Sequence, residues 1–326
     1  MGKYIAKRLL HFIPVFFGVT ALVFFLLRVA PGDAAYIRLQ DRGMDLSEEN
    51  LAAARTELGL DRPSWVQYGR WLGAVFRLDL GNSIVSGEPV IGELMRRFRL
   101  TLYLTLPAMA LVLITAFPLG LFAALYQGKI WDRITRVSAI AVMSIPSFCL
   151  GLVFILVFSA NLRWLPSFGA GSPAHLVMPC LVLFIASAAH YTRFIRSAML
   201  EELSQEYIRA AKARGIGTRT ILVFHCIKNA LIPIITSLGL SLALMLGGSA
   251  VVEKVFSWPG MGSGLIDAVL NRDYPVVQGC VLLYAFIFTA INLSTDIVCI
   301  ILDPRVRKAV RNGMGRGETG TELWGN

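Results

Sequence analysis

The sequence predicts an all-α, polytopic membrane protein with six transmembrane helices and a mostly helical extracytoplasmic segment after the first span. Three observations carry this. Of 326 residues, 56% are hydrophobic and only 16% charged, a balance that a soluble domain of this size does not show. The apolar residues gather in runs of about 20, the length at which a helix crosses a hydrocarbon core of about 30 Å. Lysine and arginine are also distributed one-sidedly around those runs. The runs are continuously apolar rather than alternating, which selects helices over a barrel.

The first run, 9–30, follows Lys3, Lys7 and Arg8. It is longer than the apolar region of a cleaved signal peptide, about 7–15 residues, so a retained anchor is expected. The segment 31–99 is the sizeable soluble part. Ser47 suits a helix N-cap with Glu48 and Glu49 in the first turn, and Gly59 suits the stop. Pro63 suits the start of a second helix, with Trp65, Tyr68, Trp71 and Leu72 at spacings of three and four. Packing of these aromatics on the bilayer interface or within the segment is favoured over a ligand-binding role. The remaining spans are expected at 102–126, 134–160, 176–192, 230–252 and 279–302. The 176–192 span is short, because His190 and Arg193 mark an early polar end. Prolines 14, 107, 118, 146, 179 and 233 fall in or at the ends of spans, where each removes a helical hydrogen bond and permits a kink.

With the N-terminus in the cytoplasm, the inner regions hold 18 Lys and Arg, whereas the two short outer loops hold Arg163, Lys254 and Arg272. This agrees with the positive-inside rule and places both termini inside. The net charge of +10 is therefore a topological signal and not a nucleic-acid footprint. The nine arginines of 31–99 weigh little, since long segments cross largely regardless of charge.

Motifs for bond chemistry are missing. No P-loop, nucleophile elbow, zincin or dinucleotide fingerprint occurs, so ATP would have to bind elsewhere. Cys149, Cys180, Cys226, Cys280 and Cys299 form no C-x-x-C pair, and His11, His175, His190 and His225 lack metal-ligand spacing. No metal, catalytic or cofactor site is expected. His190 reads as a helix-end histidine bonded to a neighbour rather than a pathway residue. Asp296, with Asn292 one turn earlier, suits a lock onto a basic side chain better than a proton site. The proton site would make the chain an ion-coupled secondary transporter. A scaffold without transport activity is the other rival.

Two loops stand out. Between spans, 193–228 contains a charged, helix-prone stretch, Glu206-Tyr207-Ile208-Arg209-Ala210-Ala211-Lys212-Ala213-Arg214-Gly215. Ser204 suits its N-cap. Tyr207, Ala210, Ala211 and Arg214 share a face, and Gly215 suits the stop. Thr218 or Thr220 suits the start of the helix that follows. Such an element either docks in a partner's groove or lies as a basic loop on anionic lipid. The outer loop 253–278 is turn-rich around Trp258-Pro259-Gly260-Met261-Gly262, with a short surface helix after it.

The 206–215 stretch with Ile232-Pro233 resembles the cytoplasmic signature of binding-protein-dependent ABC permease subunits. Ala210, Ala211 and Gly215 align with it, although Arg209 stands where that signature has Glu and the interval to Pro233 is long. Both departures suit the dipeptide/oligopeptide/nickel branch. The chain resembles that branch through 4–14, Pro31-Gly32-Asp33, 58–63, Gln67-Tyr68, 79–83, 256–262, 272–278 and Asp303-Pro304-Arg305. The resemblance implies a multi-pass subunit of the bacterial inner membrane. It would pair with a second homologous permease and serve two cytoplasmic ATPases that bind ATP and Mg, together with an extracytoplasmic solute-binding protein. Glu206, Tyr207, Ala210, Ala211, Arg214 and Gly215 would be the ATPase-coupling residues; Trp258, Pro259 and Gly260 would face the binding protein. The implied organisation is 1–30 as N-terminus and first span, 31–99 outside, 100–304 as permease domain with coupling loop 193–228, and 305–326 as tail. Peptides are the implied solute, with nickel or a metal–chelator complex as the alternative.

Overall fold

The chain folds, in a computed structural model, as a bundle of long helices with smaller helices at both ends. The structure describes residues 2–29, 34–41, 43–57, 59–222 and 226–302. Pro31-Gly32-Asp33, Leu58, His225, Asp303-Pro304-Arg305 and the 305–326 tail lie outside the described residues.

The first span is α1 (Gly2–Val29). Three short helices follow: α2 (Ala34–Asp41), α3 (Glu48–Glu57) and α4 (Ser64–Val75). Their boundaries follow local chemistry. The Asn50 amide donates to Ser47 Oγ at 3.4 Å, Gly59 adopts φ +66°, and Pro63 is the N-cap of α4. The aromatics of α4 divide: Tyr68 and Trp71 pack on Phe24 of α1, with centroids at 5.3 and 5.9 Å, while Trp65 is exposed. The α4 aromatics therefore bind the segment to the first span.

Among the described residues, five helices are long and apolar enough to cross a membrane: α1, α5 (Val90–Leu125), α8 (Ala174–Ser204), α11 (Ile227–Gly248, continued by α12, Ala250–Val255) and α14 (Tyr274–Leu302). The expected third span is not one helix. It divides into α6 (Ile130–Met143) and α7 (Ser147–Phe154), the latter prolonged by a π-helical turn, Ile155–Asn161, and the pair bends by 91°. Pro146 makes the break. Its ψ of 139° is extended rather than helical, and the residue before a proline also resists helical geometry. The other in-helix prolines, 14, 107, 118, 179 and 233, leave α1, α5, α8 and α11 unbroken.

The fourth span is not short. α8 carries His190 and Arg193 in its interior and continues to Ser204, a length of about 46 Å at about 1.5 Å per residue. His190 is exposed mid-helix, not a helix-end residue. α5 begins at Val90, so the 99/100 boundary falls inside a continuous helix. The remaining helices are α9 (Glu206–Ala213), α10 (Thr218–Ile221) and α13 (Met261–Leu270). Among the described residues the one β-bridge recorded joins Asn82 to Pro89.

The core runs along α5 and α8. Ala108, Val112, Ala116, Gly120 and Ala124 recur every four residues on one face of α5, and four of the five are small. They lie against Val182, Ile195 and Met199 of α8. A Cβ at Gly120 would lie 2.8 Å from Ile195 Cβ, so the backbones meet where no side chain intervenes. In lipid, where apolar burial between helices drives little, this close van der Waals fit is what holds helices together. α14 packs on α11 and α1. There Arg8 Nη2 lies 2.6 Å from Asp296 Oδ2, which supports the lock reading of Asp296.

Candidate functional site

The segment expected to couple to an ATPase is a two-turn helix with one face inward. Ile208 is fully buried and Ala211 is 4% exposed, both in the main core. Glu206, Arg209, Ala210, Lys212, Ala213 and Arg214 are exposed, and Tyr207 is partly so. Ala211 is therefore a core residue, and the expected shared face is corrected by one position. The inward stripe is Ile208 and Ala211; the free face runs through Glu206, Ala210 and Ala213. Ser204 is not the cap. Its hydroxyl donates back to Glu201 O at 2.7 Å, and Gln205 takes the N-cap place.

Gly215 ends the helix as expected, with φ +77°. Its amide donates to Lys212 O at 3.0 Å, and the Ile216 amide donates to Ala211 O at 3.2 Å. This pair of bonds is the Schellman motif, in which the left-handed residue is normally glycine. Helix α10 then starts at Thr218.

Tyr207 ties this helix to two long ones. Its hydroxyl donates to Glu202 Oε1 of α8. Asn229 Nδ2 of α11 donates to the Tyr207 hydroxyl at 2.9 Å and to Glu202 Oε1 at 3.0 Å. Partial burial and the bond to Glu202 push the Tyr207 hydroxyl up to about 12, so it remains a donor at physiological pH. A second tie, unforeseen from the sequence, braces α8 from the other side. Arg196 donates from Nε to Asp132 Oδ1 at 2.6 Å and from Nη2 to Oδ2 at 2.9 Å, and the Gly128 amide adds a bond to Oδ2 at 2.9 Å. Asp132 is 2% exposed. The available signal was Asp132 itself, the one acid among the basic residues of 127–136.

At the opposite end lies a sealed polar corner. Glu253 of α12 is fully buried. Oε1 accepts from the Thr101 and Ser249 hydroxyls, each at 2.8 Å, and Oε2 accepts from the Ser263 amide at 2.8 Å. Thr101 Oγ1 also accepts from the Met261 amide at 2.8 Å. The Ser263 hydroxyl donates to Trp258 O and Gly260 O, and Trp258 Nε1 donates to Leu100 O at 3.1 Å. A Cβ at Gly260 would fall 2.3 Å from the Glu253 carboxyl carbon. Of the three residues expected to face a binding protein, Trp258 and Gly260 are thus buried structural parts, and Pro259 is exposed. Glu253 was missed, although it is the sole acid between Ala230 and Ile266.

Between α5, α11 and α14 an almost wholly apolar groove of about 710 Å³ runs along the bundle, lined by residues such as Met109, Leu238, Gly239 and Phe286. Among the described residues no cluster of three or more His, Cys, Asp or Glu could hold a metal. The five cysteines are free thiols, four of them buried.

Two family matches tile the chain. Residues 116–308 match "Binding-protein-dependent transport system inner membrane component", and residues 1–105 match the N-terminal part of such membrane components. Relatives described as glutathione transport system permease protein GsiC, from Escherichia coli K12 and Salmonella paratyphi A, are each 39% identical over 94% of this chain and 99% of their own. Among solved structures, a chain of the inward-facing MetNI methionine ABC transporter matches 65% of this chain and 97% of its own. The TM-score is 0.55 at 19% identity, a likeness of fold.

Proposed function

The chain belongs to the family of binding-protein-dependent transport-system inner membrane components, and from that premise we propose that it forms half of the translocation pathway of an ABC importer for peptides or peptide-like solutes. It is a multi-pass permease subunit of the bacterial inner membrane and does no bond chemistry. The peptide class is supported by the glutathione permeases that match nearly end to end. Its partners are a second permease, two ATPases that bind ATP and Mg, and an extracytoplasmic binding protein. The apolar groove beside α11 and α14 suits the second permease. The basic inner regions support cytoplasmic termini. At the outer corner, exposed Pro259, Val269 and Leu270 remain to meet the binding protein.

One observation carries the coupling role. α9 is held to the bundle by an inward face and a single polar cluster, while Glu206, Ala210 and Arg214 stay bare. A motor subunit that grips the bare face moves α9 as a unit. Ile208 carries the displacement into the core, and the Tyr207–Glu202–Asn229 cluster carries it into α8 and α11. The Asp132–Arg196 brace passes it to α6. In this reading Glu206, Tyr207, Ala210, Arg214 and Gly215 form the coupling element, with Ala211 as its anchor.

Ala210→Trp tests this, because it adds bulk at an exposed position of α9. The expected result is normal membrane insertion, loss of ATPase co-purification and loss of solute uptake. Undiminished ATPase association would remove the docking role.

A further inference from the structure

A cavity of about 690 Å³ opens at the outer end, between α1, the α2–α4 segment, the 82–87 turn and the start of α14. Its wall carries Arg28, Arg38, Arg62 and Arg70 against one carboxylate, Glu57. Arg38 already engages Glu57 at 2.5 Å. Arg28 is held by neutral groups. Its Nε and Nη2 donate to Gln67 Oε1 at 3.0 and 2.8 Å, and its guanidinium stands 3.6 Å over the Phe24 ring. The cavity is therefore lined by positive charge that its own wall does not neutralise.

Hydrogen-bond demand points the same way. Among the described residues, three buried nitrogen donors lack a partner: Arg38 Nε, Trp71 Nε1 and Gln278 Nε2. All three residues line this cavity, and Gln278 is only 4% exposed. A buried polar group without a partner costs roughly 1–3 kcal/mol, so a wall with three such donors suits an occupant rich in acceptors. Phe24, Trp71 and Tyr274 add flat apolar surface, which suits a carbon skeleton better than a bare inorganic ion. The volume lies within the usual range for small-molecule sites, about 300–1,000 Å³.

We propose that this cavity binds a small organic anion through its carboxylates, at the extracytoplasmic end and apart from the membrane-spanning pathway. The guanidinium groups meet the carboxylates in charge-assisted bonds, and the Gln278 amide and Trp71 indole N–H groups donate to the remaining acceptor positions. This rests on the cavity alone and stands whichever solute is imported.

The test uses the assembled transporter in phosphatidylcholine nanodiscs and calorimetric titration with glutarate. Dimethyl glutarate and inorganic phosphate are the controls. Glutarate is expected to bind, the diester not to bind, and phosphate to bind more weakly. Arg70→Gln and Gln278→Leu are each expected to weaken glutarate roughly tenfold, the effect of losing a bond to a charged group; Arg70 is exposed, so its replacement leaves the fold intact. Absence of glutarate binding, equal binding of the diester or of phosphate, or unchanged affinity in both variants would overturn the proposal. So would loss of glutarate binding on adding phosphatidylglycerol, because a lipid headgroup would then be the occupant.

Discussion

The corner around Glu253 and the segment around Ala210 are both short connections between long helices, at opposite ends of the bundle, and they are built in opposite ways. At the corner, hydroxyls, amides and a carboxyl from α5, α12 and α13 satisfy one another out of reach of solvent. Even the glycine there is required by a side chain, since Glu253 occupies the space a Cβ would take. The segment around Ala210 has an open surround: a Cβ at Gly215 would meet nothing within 4 Å. It is attached through Ile208, Ala211 and one three-residue polar cluster. A part that must keep its shape turns its polar groups on one another. The α9 segment instead keeps a bare face and concentrates its attachment in a few contacts, the form the proposed docking role requires.

Substitutions sharpen this contrast, and their expected cost in stability falls from the corner to the lever. Glu253→Ala strands the Thr101 and Ser249 hydroxyls and the Ser263 amide and leaves a cavity. The expected loss is roughly 3–5 kcal/mol, read as failure to recover folded protein from membranes; near-normal yield and thermal midpoint would break the comparison. Asp132→Ala leaves Arg196 without its carboxylate, at about 2–3 kcal/mol. A lowered thermal midpoint in detergent checks it, and α8 should loosen from α6 in amide exchange. Gly215→Val places a β-branched residue at positive φ, costing about 1–2 kcal/mol. Here the stability loss is modest and the uptake loss large, because the helix terminus that α9 presents is distorted; ATPase association should weaken with it. Ala210→Trp is the smallest perturbation of the fold, within about 0.5 kcal/mol for an exposed site, and it is expected to abolish uptake. If loss of function instead tracked loss of stability along the series, the lever would be no different in kind from the corner.

The Glu253 and Asp132 ties share a reason for being hard to read in advance. Each is a lone acid in an apolar or basic stretch, and each finds partners distant in the chain: Thr101 lies 152 residues from Glu253, and Arg196 lies 64 from Asp132. A lone acid marks that a partner is needed without naming it. The arginine-lined cavity is similar. Its arginines come from α1, α2, the turn after Gly59 and α4, and only folding collects them.

The membrane class, the long apolar helices, the family resemblance and the helix limits at Ser47, Gly59, Pro63 and Gly215 were all determined by the sequence, because each depends on residues close together along the chain. The break at Pro146 was decided by the tertiary structure, since prolines 14, 107, 118, 179 and 233 sit in helices that neighbours hold continuous. So was the inward face of α9. Ala210 and Ala211 are the same residue, and about 100° of helical rotation separates them. Where α8 and α11 run decides which alanine joins the core and which is left exposed.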